Sequence, residues 1–185
     1  MRLPLESVPN FSEGRDRRTI EALERALSEH ADLLDVHVDE DHNRSVYTLV
    51  GQERALETAL LAGVACARER IDLRRHEGVH PRIGAADVVP LVALRRDDAE
   101  RARTAARAVA ERIGRELALP VFLYGELAPE RGPAFFRRGG PAELQRRLDA
   151  GEVAPDYGPT HLDAAAASPA CARSGSTCRG PASRR

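Results

Sequence analysis

The chain has 185 residues, of which 42% are hydrophobic, and its formal net charge is -1. This length suits one domain with a core, and the balanced charge gives no reason to expect a nucleic-acid or anionic membrane partner. Every basic residue is arginine, which excludes Schiff-base chemistry, pyridoxal-phosphate attachment and a phosphate-loop lysine.

The first half of the chain predicts a strand, a helix and a hairpin. Residues 3–8 favour a short strand, and a stripe of apolar residues predicts a helix over residues 16–29. Apolar and polar residues then alternate over 34–39, which predicts a half-buried strand, and a second strand follows at 45–50. A short polar turn between these two strands indicates a hairpin.

The second half continues with two more helix and strand pairs. A helix is predicted to end near Ile71, and a strand follows at residues 87–94. A third helix spans residues 99–117, and Pro120 separates it from an apolar strand at 121–124. The order β-α-β-β-α-β, with an extra helix and strand, predicts an α+β fold of the ferredoxin-like type, with an antiparallel sheet and helices on one face.

The composition changes after Leu162, where an alanine run gives way to Ser, Pro, Arg and Gly. Such a stretch can bury little apolar surface. We therefore predict one domain over residues 1–160 and a disordered or non-native tail over 161–185. No leader or membrane-spanning pattern stands out, so the expected location is cytoplasmic.

The segment 75–84 is the most informative in the chain, and it reads Arg-His-Glu-Gly-Val-His-Pro-Arg-Ile-Gly. His76, Glu77 and His80 match the H-E-x-x-H zinc pattern, which requires a helix. Gly78 and Pro81 disfavour that helix, so the segment is predicted to be a loop on which His80 performs proton chemistry without a metal. A zinc hydrolase remains the lower-ranked alternative.

Five separated motifs occur in one order along the chain. They are Val-Pro-Asn-Phe-Ser-Glu-Gly at 8–14, Asn-Arg-Ser-Val-Tyr-Thr-Leu-Val-Gly at 43–51, the loop at 75–85, Leu-Tyr-Gly-Glu at 123–126 and Ala-Pro-Asp-Tyr-Gly-Pro at 154–159. Together they resemble the amino-terminal subdomain of the glutamate formiminotransferase family, over about residues 5–160.

The resemblance implies transfer of a formimino group from N-formimino-L-glutamate to N5 of tetrahydrofolate, in histidine degradation and one-carbon metabolism. Tetrahydrofolate would be the co-substrate, and no metal is expected. The resemblance implies His80 as the catalytic residue, and it places Gly158 and Pro159 at the start of a folate-lining segment.

The remaining candidates follow from the chemistry of the transfer. Asp39 could stabilise a cationic amidinium or imidazolium, Arg44 and Arg82 could hold substrate carboxylates, and Asn10 offers a donor and an acceptor to folate or the amidine. Each also has a structural alternative. Asp39 and Asn10 suit turns and helix caps, and the arginines suit surface ion pairs.

Members of the family pair two similar subdomains around a folate cleft, whereas this sequence resembles only one. A non-catalytic folate-binding or assembly module is therefore the alternative function. Small-molecule substrates are the expected partners, together with a possible homodimer or a separate second subdomain.

Overall fold

A computed structural model describes residues 2–79 and 81–166, and the backbone of residues 171–176. The strands in these ranges are β1 (Leu5–Ser7), β2 (Asn10–Phe11), β3 (Asp32–Asp39), β4 (Arg44–Gly51), β5 (Ala86–Ala93), β6 (Leu123–Gly125) and β7 (Cys171–Ser176). The α-helices are α1 (Arg17–Ser28), α2 (Glu53–Arg70), α3 (Ala99–Glu116), α4 (Pro133–Arg137) and α5 (Gly140–Asp149).

Two short strands, β1 and β2, occupy the central position of the sheet in place of one continuous strand. β1 and β2 each pair antiparallel with β4 on one side and β5 on the other, and Val8 and Pro9 separate them. A proline cannot donate to a ladder, so the pairing is interrupted where it stands. β3 pairs antiparallel with β4 at the edge of the sheet, and this arrangement confirms the predicted α+β, ferredoxin-like fold.

The sheet continues beyond the predicted part. β7 pairs in parallel with both β5 and β6 and so joins β6 to the sheet. Residues 161–166 also contact the domain: Leu73 and Ala85 donate backbone hydrogen bonds to the carbonyl oxygens of Ala165 and Ala166. The prediction of a disordered or non-native tail stays untested as a whole, since residues 167–170 and 177–185 lie outside the described residues.

Three helices lie on one face of the sheet and build the main core. α1 begins where the predicted helix does, because the Asp16 side chain accepts hydrogen bonds from the backbone N–H groups of Arg18 and Thr19. The apolar stripes of these helices pack on the inward-facing residues of the strands. The buried members include Leu23 and Leu27 of α1, Leu60 and Val64 of α2, Val109 and Ile113 of α3, and Tyr47, Leu49, Val89 and Leu91 of the sheet.

A second, smaller core lies on the opposite face. Leu123 belongs to the main core, whereas its strand neighbours Phe122 and Tyr124 pack with residues of α4 and α5. Successive side chains of a strand point to opposite faces, so α4 and α5 cover the other side of the sheet. The sequence predicted neither helix, and it predicted helices on one face alone. Within the described ranges, no helix has the length and apolarity that crossing a bilayer requires.

Candidate functional site

Four of the predicted site residues lie at one edge of the sheet. β2 and β3 end at this edge, and β4 and β5 begin there, because Phe11 pairs with Ser45 and Ala86, and Asp39 pairs with Arg44. Asn10, Arg82 and the hairpin pair Asp39 and Arg44 are therefore brought together from three distant parts of the sequence. His80 lies outside the described residues, so its predicted catalytic role remains a prediction.

Asp39 ends β3 and organises the turn that follows. Its carboxylate accepts a hydrogen bond of 2.9 Å from the backbone N–H of His42, and its second oxygen is paired with Nδ1 of the His42 ring. The backbone hydrogen bond from His42, followed by the ring contact, lowers the pKa of Asp39. Asp39 is therefore an anion that holds the turn in shape.

Arg82 joins the loop to this turn. Its Nη2 donates to the carbonyl oxygen of His42 at 3.1 Å, and its Nη1 lies 2.5 Å from Nε2 of His76. Burial lowers the pKa of the half-buried Arg82 guanidinium. The side chain that was predicted to hold a substrate carboxylate thus also ties residue 82 to residues 42 and 76.

His76 receives two competing contacts at one ring nitrogen. Its Nε2 lies 3.1 Å from the carbonyl oxygen of Asn43 as well as against Arg82. Arginine only donates, and a carbonyl only accepts, so one tautomer of the imidazole cannot satisfy both partners. A change of tautomer at His76 would therefore exchange one hydrogen-bond partner of Nε2 for the other.

Residues 76–79 do not form the helix that a zinc site of the H-E-x-x-H type requires. A 3-10 turn spans Leu73–Arg75 and ends at His76, whose backbone is extended. No group of three His, Cys, Asp or Glu side chains suited to a metal occurs among the described residues. The loop predicted from Gly78 and Pro81 is what the described backbone adopts on the amino-terminal side of position 80.

Asn10 and Arg44 lie on the face of the sheet opposite α1–α3. Asn10 is half-buried between Val46 and Val88, and its Nδ2 donates to the carbonyl oxygen of Val8 at 2.9 Å. Arg44 is half-buried opposite Asp39 and contributes to lowering the pKa of that carboxyl. Both side chains are therefore half-buried on the same face of the sheet.

Gly158 and Pro159 follow a segment that contacts the start of β6. The backbone of Tyr157 and Asp156 bonds to Val121, and Asp156 accepts from the Leu123 N–H at 2.8 Å. Gly158 has a φ of 81°, and a Cβ there would lie 2.1 Å from the carbonyl oxygen of Leu119. Only glycine fits this left-handed, closely packed position.

A surface cavity of about 310 Å³ opens beside Pro81. Its walls include Ala134, Arg137 and Arg138 from α4 and its carboxyl end. Arg137 is paired with the buried carboxylate of Asp87. The cavity brings guanidinium groups next to the loop, in a form suited to carboxylate ligands.

Four contributors to this region were not predicted as site residues: His42, Asn43, Asp87 and Arg137. α4, which carries Arg137, was not predicted at all. Asn43 has a positive φ of 47°, for which Asn is one of the favoured residues. That turn signal could have drawn attention to Asn43, but its tertiary partners could not be found from the sequence.

The described geometry defines a ferredoxin-like α+β domain with a polar site at one sheet edge, assembled from loops and rich in arginine. The family described as the formiminotransferase domain, N-terminal subdomain, matches residues 4–172. The chain belongs to this family.

Curated relatives agree with that assignment. The chain is 39% identical over 171 residues to a glutamate formimidoyltransferase of Thermoplasma acidophilum, covering 89% of this chain and 56% of the relative. It is 40% identical over 159 residues to the Streptococcus pyogenes glutamate formimidoyltransferase, covering 83% and 53%. For the formimidoyltransferase-cyclodeaminase of Rattus norvegicus the identity is 40% over 161 residues, covering 84% and 30%. The chain thus spans about half the length, or less, of these relatives.

Proposed function

We propose that this protein takes part in the transfer of a formimino group from N-formimino-L-glutamate to N5 of tetrahydrofolate, giving 5-formiminotetrahydrofolate and glutamate. The observation that carries the proposal is the match to the family over residues 4–172, with relatives that are named glutamate formimidoyltransferase. The polar edge of the sheet, where four of the predicted binding residues lie, supports it. Tetrahydrofolate is the proposed co-substrate, in the context of histidine degradation.

The proposed reaction needs two proton movements. N5 attacks the amidine carbon and forms a new C–N bond, and the attacking nitrogen then loses its proton. The glutamate nitrogen gains a proton as its bond to the same carbon breaks. An imidazole can accept and then return a proton near neutral pH, and we assign this part to His80.

Charged groups around the loop support binding of the donor. Formiminoglutamate carries two carboxylates, and Arg44, Arg82 and the cavity beside Pro81 supply guanidinium groups. Asp39 is held ionised by His42 and would favour a cationic amidinium. Asn10, Gly158 and Pro159 are the proposed folate contacts.

The test is an assay of formimino transfer with the purified chain, tetrahydrofolate and N-formimino-L-glutamate. We expect His80→Ala to reduce the rate by roughly 10²- to 10⁴-fold, the usual contribution of a general acid-base group. His30→Ala is the matched control, because it removes an imidazole from an exposed position after α1.

Equal rates in the wild type and His80→Ala would remove His80 from the mechanism. Binding of tetrahydrofolate should be measured in parallel by calorimetry. Folate binding without any transfer by the wild-type chain would instead favour the alternative, a non-catalytic folate-binding or assembly module.

A further inference from the structure

Two buried polar side chains outside the predicted site bind the backbone of the loop on either side of position 80. Asn43 is 7% exposed and Asp87 is 4% exposed. Asn43 reaches residue 77, three positions before 80, and Asp87 reaches residue 83, three positions after it. Buried polar groups are retained where their hydrogen bonds are made, so these contacts define the local structure.

Asn43 joins three segments of the chain. Its Oδ1 accepts a hydrogen bond of 2.8 Å from the backbone N–H of Gly14, and its Nδ2 donates to the carbonyl oxygen of Glu77 at 2.9 Å. The loop lies close against the turn, since a Cβ on Gly78 would be 2.6 Å from the carbonyl oxygen of His42. One carboxamide therefore attaches the loop to the β3–β4 turn and to the segment before α1.

Asp87 makes the corresponding contacts on the carboxyl-terminal side of position 80. Its Oδ1 accepts from the backbone N–H of Ile83 at 3.0 Å, while its Oδ2 pairs with Arg137 of α4. Because Arg137 comes from a separate helix, this contact also fixes the loop to the second core. The two side chains approach the loop from different elements and on opposite sides of position 80 in the sequence.

The exposed part of the loop buries little apolar surface, and its other contacts to the β3–β4 turn are also polar. Val79 donates to the Asp41 carbonyl oxygen at 3.5 Å, and Arg82 donates to the His42 carbonyl oxygen at 3.1 Å. Glu77, Gly78, Val79 and Pro81 are exposed, and the Val79 side chain is 77% exposed. Apolar burial therefore contributes little there, and polar contacts to the backbone must supply the order. A misplacement of about 1 Å in a reacting group can cost on the order of 100-fold in rate.

We propose that Asn43 and Asp87 are positioning residues, which clamp the loop at Glu77 and Ile83 and so fix the segment that carries His80. The inference rests on the proposed function for its kinetic consequence, since only a catalytic loop needs this precision. The clamp itself is a structural property and can be tested without turnover.

The sharpest variant is Asn43→Asp. It keeps the oxygen that accepts from Gly14 and a residue type that tolerates positive φ, but it removes the donor to Glu77. We expect NMR order parameters of the amides of residues 76–79 to fall from about 0.85 to below about 0.6, while Gly14 stays rigid. Asp87→Ala, which removes the acceptor for the Ile83 N–H together with the pair with Arg137, should loosen residues 82–84 instead.

Val64→Ala is the matched control, because it removes buried volume from α2 without touching the loop. Order parameters that stay at wild-type values in both clamp variants would overturn the proposal. So would a loss of order in the loop that is equally large in Val64→Ala, because the effect would then reflect general destabilisation.

Kinetics distinguish the clamp from the proposed function. Where the wild type transfers the formimino group, Asn43→Asp should lower kcat by roughly 10- to 100-fold and change KM by less than about threefold. A loosened loop with an unchanged kcat would overturn the positioning role. A wild type without transfer would refute the proposed function, and the order parameters would still decide the clamp.

Discussion

Tyr47 illustrates how a single side chain links two layers of the fold. It is fully buried in β4, its ring meets Phe11 edge-on at 5.5 Å, and its hydroxyl donates to the carbonyl oxygen of Ile20 at 3.1 Å. Burial raises the pKa of Tyr47 to about 12, because the phenolate would lose its hydration. The strand and α1 are thus held together by a group that must remain protonated.

This raised pKa predicts a loss of stability at high pH. An unfolded tyrosine ionises near pH 10, so the contribution of Tyr47 is intact below pH 10 and is lost as the pH rises from about 10 to about 12. The loss should approach about 2 to 3 kcal/mol in the free energy of unfolding. Urea titrations at pH 8 and pH 11.5 should show this loss in the wild type and a smaller one in Tyr47→Phe.

Tyr157→Phe serves as the control in that experiment, since it removes a different phenol and leaves Tyr47 in place. The interpretation would be wrong if Tyr47→Phe lost as much stability between the two pH values as the wild type does.

The end of α3 packs against the segment that contains the proposed folate contacts. Gly114 lies in the last turn of α3, and a Cβ there would be 2.7 Å from the backbone nitrogen of Gly158 and 2.8 Å from Cβ of Tyr157. A helix would usually gain from alanine in place of glycine. Here the close approach of residues 157 and 158 makes glycine the residue that fits.

Gly114→Ala should therefore destabilise the protein despite its better helix propensity. We expect a net loss of about 1 to 3 kcal/mol, because the added methyl meets backbone that cannot move aside easily. Thermal or urea unfolding measures the loss. Gly132→Ala is the matched control, since a Cβ there meets nothing within 4 Å, and a gain in stability for Gly114→Ala would contradict the packing described.

The two cores share the sheet. Phe122 and Tyr124 of the second core flank Leu123 of the main core, and Ile83 brings the loop itself into the second core. The Asp87–Arg137 pair adds a polar link between β5 and α4. Unfolding of the second core and unfolding of the sheet should consequently be coupled.

Phe136→Ala tests this coupling, because Phe136 is 1% exposed and stacks against Phe122 with ring centroids 4.7 Å apart. Removing a buried phenylalanine costs about 3 to 5 kcal/mol, which corresponds to a fall of roughly 6 to 20 °C in the Tm of a single transition. Calorimetry should show a smaller change for Phe135→Ala, which removes a ring that is 37% exposed. A separate low-temperature transition would mean that α4 and α5 unfold independently of the sheet.

Elements whose signals lie in neighbouring residues could be predicted from the sequence. The Asp16 cap and the apolar stripes of α1–α3 depend on neighbouring residues, so α1–α3 and β3–β5 were predicted to within a few residues. The half-buried character predicted for β3 was wrong, because its apolar residues Leu34 and Val38 are exposed at the edge of the sheet. The interruption by Gly78 and Pro81 also predicted a loop correctly for residues 76–79. The same local signals gave the β-α-β-β-α-β order of elements and the motifs that resemble the family.

Tertiary structure alone decided the contacts between distant segments. α4 and α5 are short and have weak patterns, and what stabilises them is packing on Phe122 and Tyr124. The clamp depends on Asn43 meeting Gly14 and Glu77, and on Asp87 meeting Arg137. Hydrogen bonds of this kind are short-ranged and directional, so they exist only after the sheet has brought their partners together, and a linear pattern does not record them.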